Sequence, residues 1–166
     1  MASIGDSPFA VLTAVVAPAI LTNACSVLSL GTGNRIARVV DRTRTIIHEL
    51  GTLVEGSPEY QWRVRQLERL RVRGNLLLKA LRLFYAGLGG FAASALLSVI
   101  GASLVYYNFH TAFQTCAVIA LGTGVAAVTG LVTGCVFMVR ETTLAVTSVK
   151  EEVGFAVERY LKSGGQ

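Results

Sequence analysis

The chain has 166 residues, 52% of them hydrophobic and only 15% charged, with a mean hydropathy of +0.57. A soluble domain carries about a quarter charged residues, and here the charge is also concentrated in two segments, which excludes an ordinary water-soluble domain and points to a membrane protein. The net charge of +5 does not call for a nucleic acid partner, because ten Arg and one Lys lie between Arg35 and Arg82, flanked by apolar stretches and without a reading motif.

In chain order, Met1 to Ser7 contains Asp6 and no basic residue. This start lacks the basic n-region of a cleaved signal, so it is expected to lie outside the membrane ahead of an uncleaved first span. That span covers about residues 8–30, longer than the roughly 20 residues a crossing needs. It carries Thr13, Pro18, Asn23, Ser26 and Ser29. Pro18 is expected to kink it, and Asn23 to turn toward another helix because an amide is costly in lipid. Gly31-Thr32-Gly33 lacks the third glycine and the preceding strand of a nucleotide fingerprint and is expected to loosen the helix at the interface.

A helical hairpin follows over about residues 34–82. Ile36, Val39, Val40, Thr43, Ile46, Ile47, Leu50, Leu53 and Val54 recur at helical spacing, with Arg35, Arg38, Arg42 and Glu49 opposite. Glu55-Gly56-Ser57-Pro58 interrupts the period: Gly56 suits a helix end, Ser57 an N-cap and Pro58 the first helical position. Tyr60, Val64, Leu67, Leu70, Leu77 and Leu81 then carry the period into a second span, about residues 83–107. Arms of about 20 residues project the hairpin roughly 30 Å at 1.5 Å per residue.

The turn Tyr106-Tyr107-Asn108-Phe109-His110 has the paired tyrosines of a membrane interface. A third span covers about residues 111–139. An amphipathic C-terminal helix follows over about 141–162, with Val146, Val149, Val153, Ala156 and Tyr160 as its apolar stripe. The expected fold is therefore all-α, a single integral membrane domain over residues 1–166, with three transmembrane helices extended as a hairpin and a C-terminal helix. Its basic loop places the hairpin and C-terminus in the cytoplasm of an inner membrane and the N-terminus outside.

Two patterns are candidates for function. In the second span Ala86, Gly90, Ser94, Ser98 and Ala102 recur every four residues, and Gly122, Ala126, Gly130 and Gly134 do so in the third. Small residues at this spacing let membrane helices approach closely, within one chain or between copies. At the exit of the first span, Asn34-Arg35-Ile36-Ala37-Arg38-Val39-Val40-Asp41-Arg42-Thr43-Arg44 places Arg35, Arg38 and Arg42 on one helix face. Asp41 is in reach of Arg38 or Arg44 at three-residue spacing. Guanidinium groups bind phosphate bidentately, so this surface suits anionic lipid, a phosphorylated ligand or a partner, beside its simpler role as a topology anchor.

This NRxxRxxDRxR exit, the arginine-rich return helix and the two further spans resemble a bacterial membrane-protein family, domain of unknown function 2721. The resemblance runs from about Ala10 to Val149, with Asn34, Arg35, Arg38, Asp41 and Arg42 at its most specific positions. It implies a membrane protein and carries no activity with it.

The remaining residues offer little chemistry. Cys25, Cys116 and Cys135 lie in the apolar spans without metal-ligand spacing and read as packed thiols. His48 and His110 fall on opposite sides of the expected topology. Tyr60 and Trp62 near the hairpin tip read as packing residues or as a partner's anchor. No paired carboxylates, nucleophile set or acidic group within a span is present, so neither an enzyme nor a proton-coupled transporter is expected, and no cofactor. The leading expectation is a non-enzymatic scaffold or accessory component, a homo-oligomer or a subunit of a larger complex, in contact with membrane lipid. A homo-oligomeric pore and an accessory subunit of a redox or photosynthetic complex are the alternatives.

Overall fold

Three uninterrupted helices build the described residues, 8–106 and 110–163, of the computed structural model. They are α1 (Pro8–Leu50), α2 (Pro58–Tyr106) and α3 (His110–Ser163). Side chains are described between residues 16 and 104, between 110 and 151, and at 153 and 154. The N-terminal tail, the tyrosine-rich turn at 107–109, the side chains of Ala156 and Tyr160, and residues 164–166 lie outside the described residues. The protein is all-helical, and its three helices each contain a stretch long and apolar enough to cross a membrane. At 43, 49 and 54 residues, they are roughly two to nearly three times as long as the roughly 30 Å hydrocarbon core requires.

The helices divide into two compact units along their lengths. An apolar unit comprises Met1–Thr32 and Leu81–Gly134, and a charged unit comprises Gly33–Ala80 and Cys135–Gln166. The chain crosses from one to the other inside each helix. α1 runs unbroken through Gly31-Thr32-Gly33, so the expected loosening there does not interrupt the helix.

In the apolar unit, Cys25, Phe91 and Ala127 form the buried centre, with Leu21, Leu88 and Leu131 against them. Phe84 is also fully buried. Space for these rings comes from glycine: a methyl group at Gly134 would stand 2.6 Å from Phe84, and one at Gly90 only 2.8 Å from the Ala127 methyl. Ser94 is buried and donates a 2.9 Å hydrogen bond to the Ala120 carbonyl, which joins α2 to α3 and satisfies the Ser94 hydroxyl. Asn23 does not turn inward as expected; it is exposed on α1.

In the charged unit, Val39, Ile46, Leu70 and Leu77 form the core, flanked by Ile36, Leu50, Leu67 and Met138. Here α1 ends at Leu50, earlier than its apolar pattern suggests. Leu53 and Val54 belong to the turn, and Val54 is exposed. Gly56 takes the left-handed conformation, with φ at +85°, that side chains disfavour. Ser57 Oγ then accepts a 3.1 Å hydrogen bond from the Tyr60 N–H, an N-cap on α2, whose first residue is Pro58. An ion pair of 3.0 Å between Arg63 and Glu49 ties the two arms together beside the turn.

The C-terminal stripe is a further difference. Val146, Val149 and Val153 are exposed, and α3 instead turns Glu141, Ala145 and Ser148 toward the charged unit's interior. The inward face of α3 thus sets Glu141 and Ser148 among Met138 and Ala145, a mixed face that an apolar-stripe reading passes over.

Candidate functional site

A carboxylate is the centre of the charged unit. Glu141 is 1% exposed, although it follows Arg140 directly after an apolar stretch. Its Oε1 accepts hydrogen bonds from Arg73 Nε at 3.0 Å and Arg73 Nη2 at 2.8 Å, and its Oε2 accepts one from Arg35 Nη1 at 3.2 Å. Arg35 also donates to the Thr142 hydroxyl at 3.0 Å. One carboxylate from α3 thus holds guanidinium groups from α1 and α2. A buried charge is stable only when paired and hydrogen-bonded in this way, and removing one member leaves the others desolvated without compensation.

Around this clasp lies a cavity of about 340 Å³, lined by Arg35, Arg38, Arg42, Arg73 and Glu141 with Val39, Leu70 and Ala145. The helix face of Arg35, Arg38 and Arg42 therefore borders one space, joined there by Arg73 from α2. Arg38 reaches only the carbonyl of Asn34, at 3.5 Å. Among the described residues Arg42 has no ion pair. Asp41 and Arg44 are exposed, and the expected pairing of Asp41 with Arg38 or Arg44 is absent among the described residues. The carboxylate that engages this arginine face is Glu141, about a hundred residues further along the chain.

Arg42 and Arg73 also border a second cavity of about 480 Å³, with Trp62, Arg65, Gln66 and Arg69 on α2 and Ser148, Val149 and Glu151 on α3. Arg69 pairs with Glu151 at its rim. Trp62 lies under the Arg63 guanidinium, 4.9 Å from ring centroid to carbon, a cation–π contact.

The small-residue ladders lie in the apolar unit, and the structure divides them. Ser94 and Gly134 are buried and Gly90, Ser98 and Gly130 half-buried, whereas Ala86, Gly122 and Ala126 are exposed. A methyl at Gly122 would meet nothing within 4 Å. Within this chain, then, Ala86, Gly122 and Ala126 make no helix contact of the expected kind. A step of four residues advances about 40° beyond a full turn, so such a ladder walks off any one face. The faces that meet alternate steps of three and four: Phe84, Gly87, Phe91, Ser94, Ser98 and Gly101 on α2, with Gly90 beside them at a close approach to Ala127, and Ala120, Gly124, Ala127, Leu131 and Gly134 on α3.

Cys25 is buried, Cys116 and Cys135 are half-buried, and none of the three forms a disulfide. His48 and His110 are both exposed, and the described residues contain no cluster of metal-ligating side chains. Sequence reasoning missed Glu141 and Arg73, the α2 arginine that shares its cavity. The signal was an acidic residue three positions beyond Met138 in a helix otherwise free of acidic groups up to that point, opposite a surplus of arginine.

No curated protein and no solved structure matches the chain. A family model described as a protein of unknown function, DUF2721, matches residues 15–151, a stretch that includes the arginine face of α1, Arg73 of the clasp and Glu141. The chain belongs to the DUF2721 family.

Proposed function

We propose that this protein is a non-catalytic membrane scaffold that holds phosphate-bearing lipid headgroups against the arginine face of its charged unit. In this reading the charged unit faces the cytoplasm of the inner membrane, with the chain's N-terminus outside. The observation that carries it is the Glu141 clasp: it fixes Arg35 and Arg73 at the cavity wall while Arg38 and Arg42 border the same space without a carboxylate partner. Such an arrangement offers preplaced donors to a tetrahedral anion. The density of Arg between residues 35 and 82 supports the orientation, because short basic loops stay on the cytoplasmic side. The exposed Val146 and Val153, one heptad apart on α3, support assembly of several copies.

The test is lipid retention by the purified full chain. Native mass spectrometry after extraction from mixed-lipid nanodiscs is expected to show anionic phospholipid retained over zwitterionic lipid. Arg38→Gln with Arg42→Gln is expected to abolish that preference while helicity is unchanged. Equal retention of both lipid classes by the unaltered protein would refute the reading.

A further inference from the structure

The cavity beside Trp62 differs from the one around Glu141 in a way that identifies a different ligand. Four guanidinium groups border it, from Arg42, Arg65, Arg69 and Arg73, against the single carboxylate of Glu151, an excess of three positive charges. Arg69 is engaged by Glu151, and Arg73 by Glu141. Arg42 and Arg65 have neither an ion pair nor a hydrogen bond among the described residues. Like charges gathered around one space repel, and their field concentrates anions there.

What distinguishes this cavity is its other lining. Trp62 and Gln66 stand beside the arginines, whereas the cavity around Glu141 has no aromatic side chain. The Arg63 guanidinium lies over the indole and donates to Gln66 Oε1 at 3.2 Å, so the three side chains form one planar, cationic wall against which an aromatic ring can stack. Arginines at 65, 69 and 73 recur every fourth residue along α2, a row of donors suited to a chain of phosphates rather than to one. At about 480 Å³ the space falls within the roughly 300–1,000 Å³ typical of small-molecule sites.

We propose that this cavity binds a nucleoside polyphosphate, with the base against Trp62 and Gln66 and the phosphates along Arg42, Arg65, Arg69 and Arg73. This goes beyond the headgroup reading: the ligand is soluble, and Trp62, Gln66, Arg65 and Arg69 take no part in the Glu141 cavity. Bound phosphates compete with Glu141 for Arg73 and supply counter-charge to Arg42, so occupancy of one cavity bears on the other.

Trp62 is the only tryptophan in the chain, so its emission reports this cavity alone. The full chain in nanodiscs of zwitterionic lipid is titrated with ATP, GTP, pyrophosphate and adenosine, with equilibrium dialysis of radiolabelled ATP as a second readout. Saturable quenching by ATP or GTP is expected, with weaker binding of pyrophosphate and none of adenosine. Arg65→Gln, at an exposed position that leaves the fold intact, is expected to weaken ATP about tenfold, and Arg65→Lys less. Trp62→Ala, followed by dialysis, is expected to weaken ATP while leaving pyrophosphate unchanged. The proposal is overturned by the absence of saturable binding up to millimolar nucleotide, or by affinity that Arg65→Gln leaves unaltered. It is also overturned if nanodiscs of anionic lipid shift Trp62 emission and eliminate ATP binding even in Arg38→Gln, a change confined to the Glu141 cavity, which would assign this cavity to headgroups too.

Discussion

Glu141 is where single side chains decide most. Arg73 contributes two hydrogen bonds and is 21% exposed, while Arg35 contributes one and is 43% exposed. Glu141→Ala leaves both guanidiniums facing a void and is expected to cost about 3 kcal/mol, at the low end for a severed buried pair because Arg35 rehydrates. Thermal unfolding in detergent measures it, and the order of loss should be Glu141→Ala, then Arg73→Gln, then Arg35→Gln. An unchanged melting temperature in Glu141→Ala would mean the clasp does not hold the helices. Asp41, exposed and without an ion pair among the described residues, is the control: Asp41→Ala should be neutral within about 0.5 kcal/mol. The sequence displays Asp41 and its arginine neighbours prominently, yet the carboxylate that matters comes from another helix, because pairing strength depends on burial and burial is not a local property.

At the scale of helices, the contact between α2 and α3 rests on where a methyl group fits. Gly90→Ala would bring its new methyl against the Ala127 methyl, with backbone close behind on both sides, and is expected to destabilise by about 1–3 kcal/mol through forced separation of the helices. Gly134→Ala presses on the fully buried Phe84 and should do likewise. Gly122→Ala meets nothing within 4 Å and should have no effect on the monomer. Gly130 is a weaker discriminator than its place in the four-residue ladder suggests, since its nearest contact is the Leu83 carbonyl at 3.8 Å, whereas off-ladder Gly124 already has Ser94 Oγ at 3.4 Å. Differential scanning fluorimetry on alanine variants at positions 90, 122, 124, 130 and 134 would sort these cases, and equal losses at positions 90 and 122 would discredit these contacts. The exposed valines of α3 belong to this scale too. Val146→Asp with Val153→Asp is expected to reduce an assembly to single chains in light scattering while leaving the helical content intact.

For the molecule as a whole, orientation is the first quantity to measure. In a background where the three native cysteines are replaced, Glu55→Cys in the exposed turn should react with a membrane-impermeant maleimide only after cells are opened. Labelling in intact cells would reverse the proposed orientation. Conductance is the second. The span hydroxyls of Thr123, Thr129 and Thr133 donate to carbonyls four residues back on their own helix, at 2.8, 2.9 and 2.8 Å, so they offer little free polar surface for a lumen. Purified protein in a planar bilayer is therefore expected to pass no current, and reproducible unitary events would favour a pore over a scaffold.

The sequence by itself determined the class of the protein and the punctuation of its helices. Absence of charge over some twenty residues leaves a chain no alternative to a membrane helix, and Gly56, Ser57 and Pro58 act through their own backbone and side-chain geometry, so the turn and the start of α2 could be read locally. Tertiary structure alone decided which faces meet. Helices of this length show several apolar or small-residue stripes, and only the partner's shape selects among them: Phe84 and Phe91 require glycine and alanine opposite, which favours the alternating three-and-four spacing over the four-residue ladder. It also decided that Val146 and Val149 stay outside while Glu141 goes in, since a buried carboxylate is tolerable only where Arg35 and Arg73 converge from the two other helices. That convergence depends on residues 35, 73 and 141 becoming neighbours, a fact no window of sequence contains.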